Sequence, residues 1–300
     1  MIAGIQISRE IAMSRLVLLL LALLIAADIG LAGEPPWLTV PEPPPLQLYK
    51  ARESGIAQVN GVELYYATFN NPGPDPVILL HGGLSSSEAW GFEVPLLAKS
   101  HRVIVVDSRG HGRSTRNAQP FSYDLMASDV VALMDYLALP KASIVGWSDG
   151  GIVGMVMAIK HRDRLDRLVT YGASFNHSAD KTDPPDDAAK ARRAKYMAWA
   201  EAKYRAISPT PDGFADLRKA LAAMYAKEPN LDPSDLRAVT TPTLIITGEY
   251  EQFYTREHFE ELSRLIPKSR LVILPNASHG GPNQQPAAFH KIVADFLDAR

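Results

Sequence analysis

The chain has 300 residues, 46% of them hydrophobic and 21% charged, which is enough to bury one large core without a second domain. A formal net charge of -2 supplies no basic patch of the kind that nucleic acid or an anionic membrane surface requires. With no cysteine, a disulfide framework, a thiolate metal site and a cysteine nucleophile are all excluded.

Residues 1–33 read as a signal peptide or an amino-terminal anchor. Arg9 and Arg15 precede an apolar run from Leu16 to Ala27, too short to span a hydrocarbon core of roughly 30 Å as a helix. Gly30 and Ala32 put small residues at the positions that cleavage after Ala32 needs, so export to the periplasm or the exterior is expected. The alternative is an uncleaved membrane anchor through residues 16–27. Residues 34–54 carry Pro35, Pro36, Pro41, Pro43, Pro44 and Pro45 and are expected to form a stiff tether, extended rather than packed.

From residue 55 the elements alternate. Ala57 to Val59 and Val62 to Phe69 flank Asn60-Gly61, a hairpin signal. Apolar strands are expected at Val77–Leu80, Val103–Val106, Ala142–Gly146, Leu165–Tyr171, Thr243–Thr247 and Leu271–Leu274. Helices are expected at Glu88–Ala98, Ser122–Leu139, Ile152–Ile159, Arg256–Leu265 and Pro286–Leu297. Continuous apolar strands between helices imply a mostly parallel, doubly wound α/β sheet covered on both faces. Residues 175–240 interrupt the alternation with Ala188–Arg205 and Asp212–Ala226, alanine-rich and amphipathic between proline clusters. They read as a helical cap inserted after the sixth strand, over the end of the sheet where ligands bind. No internal repeat is present.

Gly146-Trp147-Ser148-Asp149-Gly150 falls where a strand must turn sharply into a helix. A lone G-x-S-x-G arises by chance in roughly one chain in ten of this length, so its neighbours must carry the inference. Such a turn strains the serine backbone, and flanking glycines remove the side chains that would collide there. Ser148 is then a nucleophile, which needs a base, an acid to orient the base, and donors for the oxyanion. His279, on a glycine-flanked loop after the last strand, has the best address for the base. His161, His258 and His290 fall on helices, His101 precedes a strand, and His177 opens the cap. The acid follows the strand Thr243–Thr247: Glu251 is preferred and Glu249 is second. Backbone amides of Gly83 or Leu84, after the strand Val77–Leu80, together with that of Asp149, are the expected oxyanion donors. His81 is expected to brace its turn. Leu84 and Trp147 are expected to line an apolar substrate pocket, whereas Met155 and Met157 belong to the core. No cofactor or metal is called for.

Taken in order, His81-Gly82-Gly83, Asp107 to Ser114, the turn at Ser148 and the later acid and histidine loops give a chain that resembles the α/β-hydrolase family over residues 55–298. The resemblance implies an eight-stranded sheet with a cap, a structural rather than catalytic role for Asp107 to Ser114, and hydrolysis of an ester or lactone by an acyl-enzyme. In such cap-bearing relatives the acid is usually aspartate, so Glu251 is a departure. Serine at position 148 argues against the haloalkane dehalogenase and epoxide hydrolase branches. Carbon–carbon bond hydrolysis and cofactor-free perhydrolysis use the same residues and stand as alternatives, as does a binding protein that has lost turnover.

Overall fold

The computed structural model describes residues 35–69, 76–181 and 186–299. The expected signal segment, with Arg9, Ala27 and Ala32, lies outside the described residues. Residues Pro36–Leu38 form a single 3-10 turn, and the unit that carries the sheet runs from Val40.

Eight strands form one sheet: β1 (Glu53–Val59), β2 (Val62–Phe69), β3 (Pro76–Leu80), β4 (Arg102–Val106), β5 (Ala142–Trp147), β6 (Leu165–Tyr171), β7 (Thr243–Gly248) and β8 (Ser269–Leu274). Their spatial order is β1-β2-β4-β3-β5-β6-β7-β8. The β1–β2 and β2–β4 pairs are antiparallel, and the pairs from β4–β3 through β7–β8 are parallel. The hairpin between β1 and β2 turns on Asn60 and Gly61, both at positive φ (47° and 72°), the geometry that matches strand twist. Alternate side chains of each parallel strand enter different cores. Ile78, Leu80, Ile104 and Ile144 join one cluster, while Val77, Leu79, Val103, Val105 and Val145 join the other. That double burial is why these strands read as unbroken apolar runs.

Helices cover both faces: α1 (Val94–Leu97), α2 (Tyr123–Tyr136), α3 (Asp149–Lys160), α4 (Asp187–Ile207), α5 (Phe214–Tyr225), α6 (Pro233–Arg237), α7 (Arg256–Leu265), α8 (Gly281–Gln284) and α9 (Pro286–Leu297). The cap expected between β6 and β7 consists of α4, α5 and the short α6. A backbone bridge between Asp180 and Tyr254, with the Lys181 amide donating to the Phe253 carbonyl at 2.9 Å, ties its entry to the loop after β7.

Two expectations are corrected. The helix expected over Glu88–Ala98 is broken into a 3-10 turn at Ser87–Trp90 and α1. Pro95 supplies no N–H to the Gly91 carbonyl four residues back and its ring crowds that carbonyl, so a continuous helix cannot form. The tether expected over residues 34–54 does not stay unpacked. Leu46 is buried, its amide donates to Glu88 Oε2 at 2.8 Å, and β1 already starts at Glu53.

Candidate active site

Ser148 stands between β5 and α3 with φ 53° and ψ -118°, a left-handed conformation that costs a non-glycine residue of order 1–3 kcal/mol. The neighbouring glycines explain how the turn closes. A Cβ on Gly146 would lie 2.2 Å from the Gly150 carbonyl oxygen, and one on Gly150 would lie 2.2 Å from that of Leu80. The Ser148 amide donates to the Tyr171 carbonyl at 2.8 Å, fixing the serine to the adjacent strand. Its side chain is left at the mouth of the sheet, against the loop that follows β3: a Cβ on Gly82 would sit 3.8 Å from Ser148 Oγ. In that loop Leu84 also has positive φ, 59°.

The loops after β7 and β8 bring Glu251 and His279 together. His279 Nδ1 lies 2.9 Å from Glu251 Oε2 and 3.0 Å from Oε1. Glu251 is buried, and its Oε1 also accepts the Phe253 amide at 2.9 Å, so the carboxylate is held from two sides. Nδ1 is thereby occupied, while Nε2 takes no hydrogen bond among the described residues and remains the nitrogen able to receive a proton. The His279 amide donates to Gln252 Oε1 at 2.9 Å, and the Phe253 ring stands edge-on to the imidazole with centroids 4.7 Å apart. Glu249 is elsewhere: it is exposed and accepts the Asn276 amide at 3.0 Å.

Gly83 and Asp149 lie against each other across the same opening; a Cβ on Gly83 would be 2.7 Å from Asp149 Oδ2. The Asp149 amide opens α3, where the partial positive charge of the helix favours an anion. His81 is buried beneath this loop, donating from Nδ1 to the Gly82 carbonyl at 2.7 Å and accepting the Ser108 amide at Nε2. Burial pushes its pKa down, which keeps the ring neutral as that pattern requires. Asp107 accepts the Ser87 and Arg113 amides at 2.7 and 2.8 Å, a loop-holding arrangement.

Leu84 lines a cavity of about 170 Å³, and Trp147 is not among the residues that line it. Its indole packs edge-on against Trp90 and Tyr171 and donates to the His279 carbonyl at 2.8 Å, so it braces the histidine loop instead.

One participant escapes the sequence. The Asp149 side chain is buried and accepts hydrogen bonds from Tyr123 (2.9 Å to Oδ1) and from Tyr225 of the cap (2.6 Å to Oδ2). Burial raises its pKa, and the two hydroxyls oppose that rise. A carboxylate heading the apolar run Ile152–Ile159 was the available signal, but Tyr225 lies 76 residues away and nothing local points to it.

A model described as "Alpha/beta hydrolase family" matches residues 77–292. A putative carbamate hydrolase of Caulobacter sp. is 28% identical over 78% of this chain and 95% of its own length. Among solved structures, an enol-lactonase from Burkholderia xenovorans superposes with a TM-score of 0.65 at 26% identity, covering 81% of this chain and all of that one. A meta-cleavage product hydrolase from Pseudomonas fluorescens does so with a TM-score of 0.68 at 25% identity, covering 83% and 98%.

Proposed function

This chain belongs to the alpha/beta hydrolase family, and on that premise we propose that it is a serine hydrolase that cleaves a small carboxylic ester or lactone through an acyl-enzyme. The observation that carries this reading is Ser148 in a strained strand-to-helix turn with the Glu251–His279 pair on the neighbouring loops. Ser148 Oγ attacks the carbonyl carbon while His279 Nε2 takes its proton, and the Glu251 carboxylate keeps Nδ1 protonated and Nε2 basic. The developing oxyanion is met by the amides of Gly83 and Asp149, donors typically worth 10²–10³ in rate each. His279 then gives its proton to the departing alkoxide, the C–O bond breaks, and water repeats the sequence to release the acid. Leu84 would border the substrate, and no step calls on a metal or cofactor.

The test is hydrolysis of p-nitrophenyl acetate with covalent labelling by a fluorophosphonate. Ser148→Ala should lose labelling and at least about 10⁴-fold in kcat; parental turnover in that variant rejects Ser148 as nucleophile. A second reading, carbon–carbon bond hydrolysis on the same residues, is favoured by the likeness to the meta-cleavage product hydrolase. Turnover of a vinylogous 1,5-diketone with no turnover of esters would select it.

A further inference from the structure

Residues 40–47, ahead of the first strand, form a strap across the opening of the sheet. At one end Val40 packs on Gly280, beside His279, so closely that a Cβ on that glycine would lie 2.4 Å from Val40 Cγ2. At the other end the Pro44 carbonyl rests on Gly91, where a Cβ would stand 1.9 Å from its oxygen. Leu46 is buried, and its amide and the Gln47 side chain donate to the Glu88 carboxylate at 2.8 and 3.2 Å. Arg113 also donates to that carboxylate, at Oε1, at 2.5 Å. Between these anchors Glu42 forms an ion pair with Lys203 of α4.

Behind the strap lies the cavity of about 170 Å³. Pro43 and Pro45 line it from the strap, Trp199, Tyr204 and Ile207 line it from the cap, and Leu84 lines it from the loop after β3. The charged groups in its lining are already paired, Glu42 with Lys203 and Glu88 with Gln47, Arg113 and the Leu46 amide, which leaves the apolar side chains to receive a ligand. For scale, an engineered apolar cavity of about 150 Å³ holds a benzene molecule. Leu84 directly follows Gly83, so the lining of the cavity begins one residue from the amide at which a substrate carbonyl would be held.

Resting on the ester or lactone reading above, we propose that this cavity binds the apolar acyl portion of the substrate, a chain of about six carbons or a single ring, and that the strap residues Pro43 and Pro45 limit its length. Each methylene moved from water into such a site is worth roughly fourfold in binding. Specificity is then set partly by a segment outside the sheet and the cap. Substitution in the strap should alter chain-length preference without touching Ser148, His279 or Glu251.

The full chain and two variants are assayed for kcat/KM on p-nitrophenyl acetate, hexanoate and decanoate, with thermal melts to confirm folding. The parent should prefer hexanoate to acetate by at least tenfold. Ile207→Trp fills the cavity and should cut that ratio at least tenfold; Pro43→Gly opens it and should raise decanoate relative to hexanoate several-fold. The two changes push in opposite directions, one from the cap and one from the strap, so either folded variant decides the matter. Acetate hydrolysis with parental ratios in the folded variants overturns the cavity assignment alone. Inactivity of the parent on all three esters overturns the ester reading and this proposal with it.

Discussion

In the proposed mechanism Glu251 is the residue on which the chemistry of His279 turns. Both carboxylate oxygens lie within 3.0 Å of Nδ1, so the longer side chain does the orienting work from a loop set back from the ring. Glu251→Gln replaces an acceptor that fixes the tautomer with an amide that can also donate. The expected result is a kcat lower by about 10³–10⁴ with KM little changed. Glu251→Asp shortens the arm by one methylene and withdraws the carboxylate beyond hydrogen-bond reach, and a fall of about 10² in kcat is expected. Parental kcat in the glutamine variant removes Glu251 from the mechanism. Sequence alone left Glu249 and Glu251 as rivals because both follow the same strand. The loop's own hydrogen bonds separate them, sending Glu249 outward to Asn276 and folding Glu251 back over the Phe253 amide. The turn at Ser148 left a local mark in Gly146 and Gly150, and the loop of His279 left one in Gly280 and Gly281, whereas the bracing role of Trp147 depends on Trp90 and Tyr171, which no local pattern links to it.

Elements whose own periodicity marks the face they bury were the legible ones. The run Leu165–Tyr171 and the helices Arg256–Leu265 and Pro286–Leu297 stand where their patterns put them. The stretch Glu88–Ala98 did not, because Pro95 cannot donate to the Gly91 carbonyl and its ring crowds that carbonyl. The strap was read as a free tether for a related reason: its partners Glu88 and Gly280 are far away in the chain. The cap's connection to the site has the same non-local origin. Tyr225, the last residue of α5, donates to the Asp149 side chain at 2.6 Å, so the cap is tied to the residue whose backbone amide is the candidate oxyanion donor. Tyr225→Phe leaves Oδ2 of a buried carboxyl unpaired, a loss of about 1–3 kcal/mol. In a domain of this size that lowers Tm by roughly 2–10 °C. Faster amide exchange in α5 should accompany the lower Tm, because the cap loses its tie to the sheet. An unchanged Tm together with unchanged exchange in α5 would show that the hydroxyl carries no load.

A sheet covered on both faces leaves little room for charge at its upper edge, and the molecule carries buried histidines there. Burial holds His111 down at about 3 and His258 at about 4, and pushes His81 down as well. Each is therefore neutral in the folded protein, while in the unfolded chain it gains a proton as pH falls below about 6.5. The contribution of each to stability is complete above that value and is lost as pH falls from 6.5 toward the folded value. Asp149 and Glu93, raised by burial, work in the other direction: the folded state favours their neutral forms, so their contribution is present at low pH and fades as pH rises through their raised values. Between pH 6.5 and 4 the buried histidines make the folded state progressively less stable. For His258 alone the loss by pH 4 is about 3 kcal/mol. His258 accepts the Phe175 amide at 3.1 Å, a bond that a glutamine side-chain oxygen can supply without titrating. Urea unfolding of the His258→Gln variant should therefore show a lower stability than the parent at pH 7 but a shallower decline to pH 4, with the gap narrowing by about 2–3 kcal/mol. Parallel curves for parent and variant would mean that His258 titrates alike in the folded and unfolded chain, and that burial at this edge of the sheet does not set the acid limit of the fold.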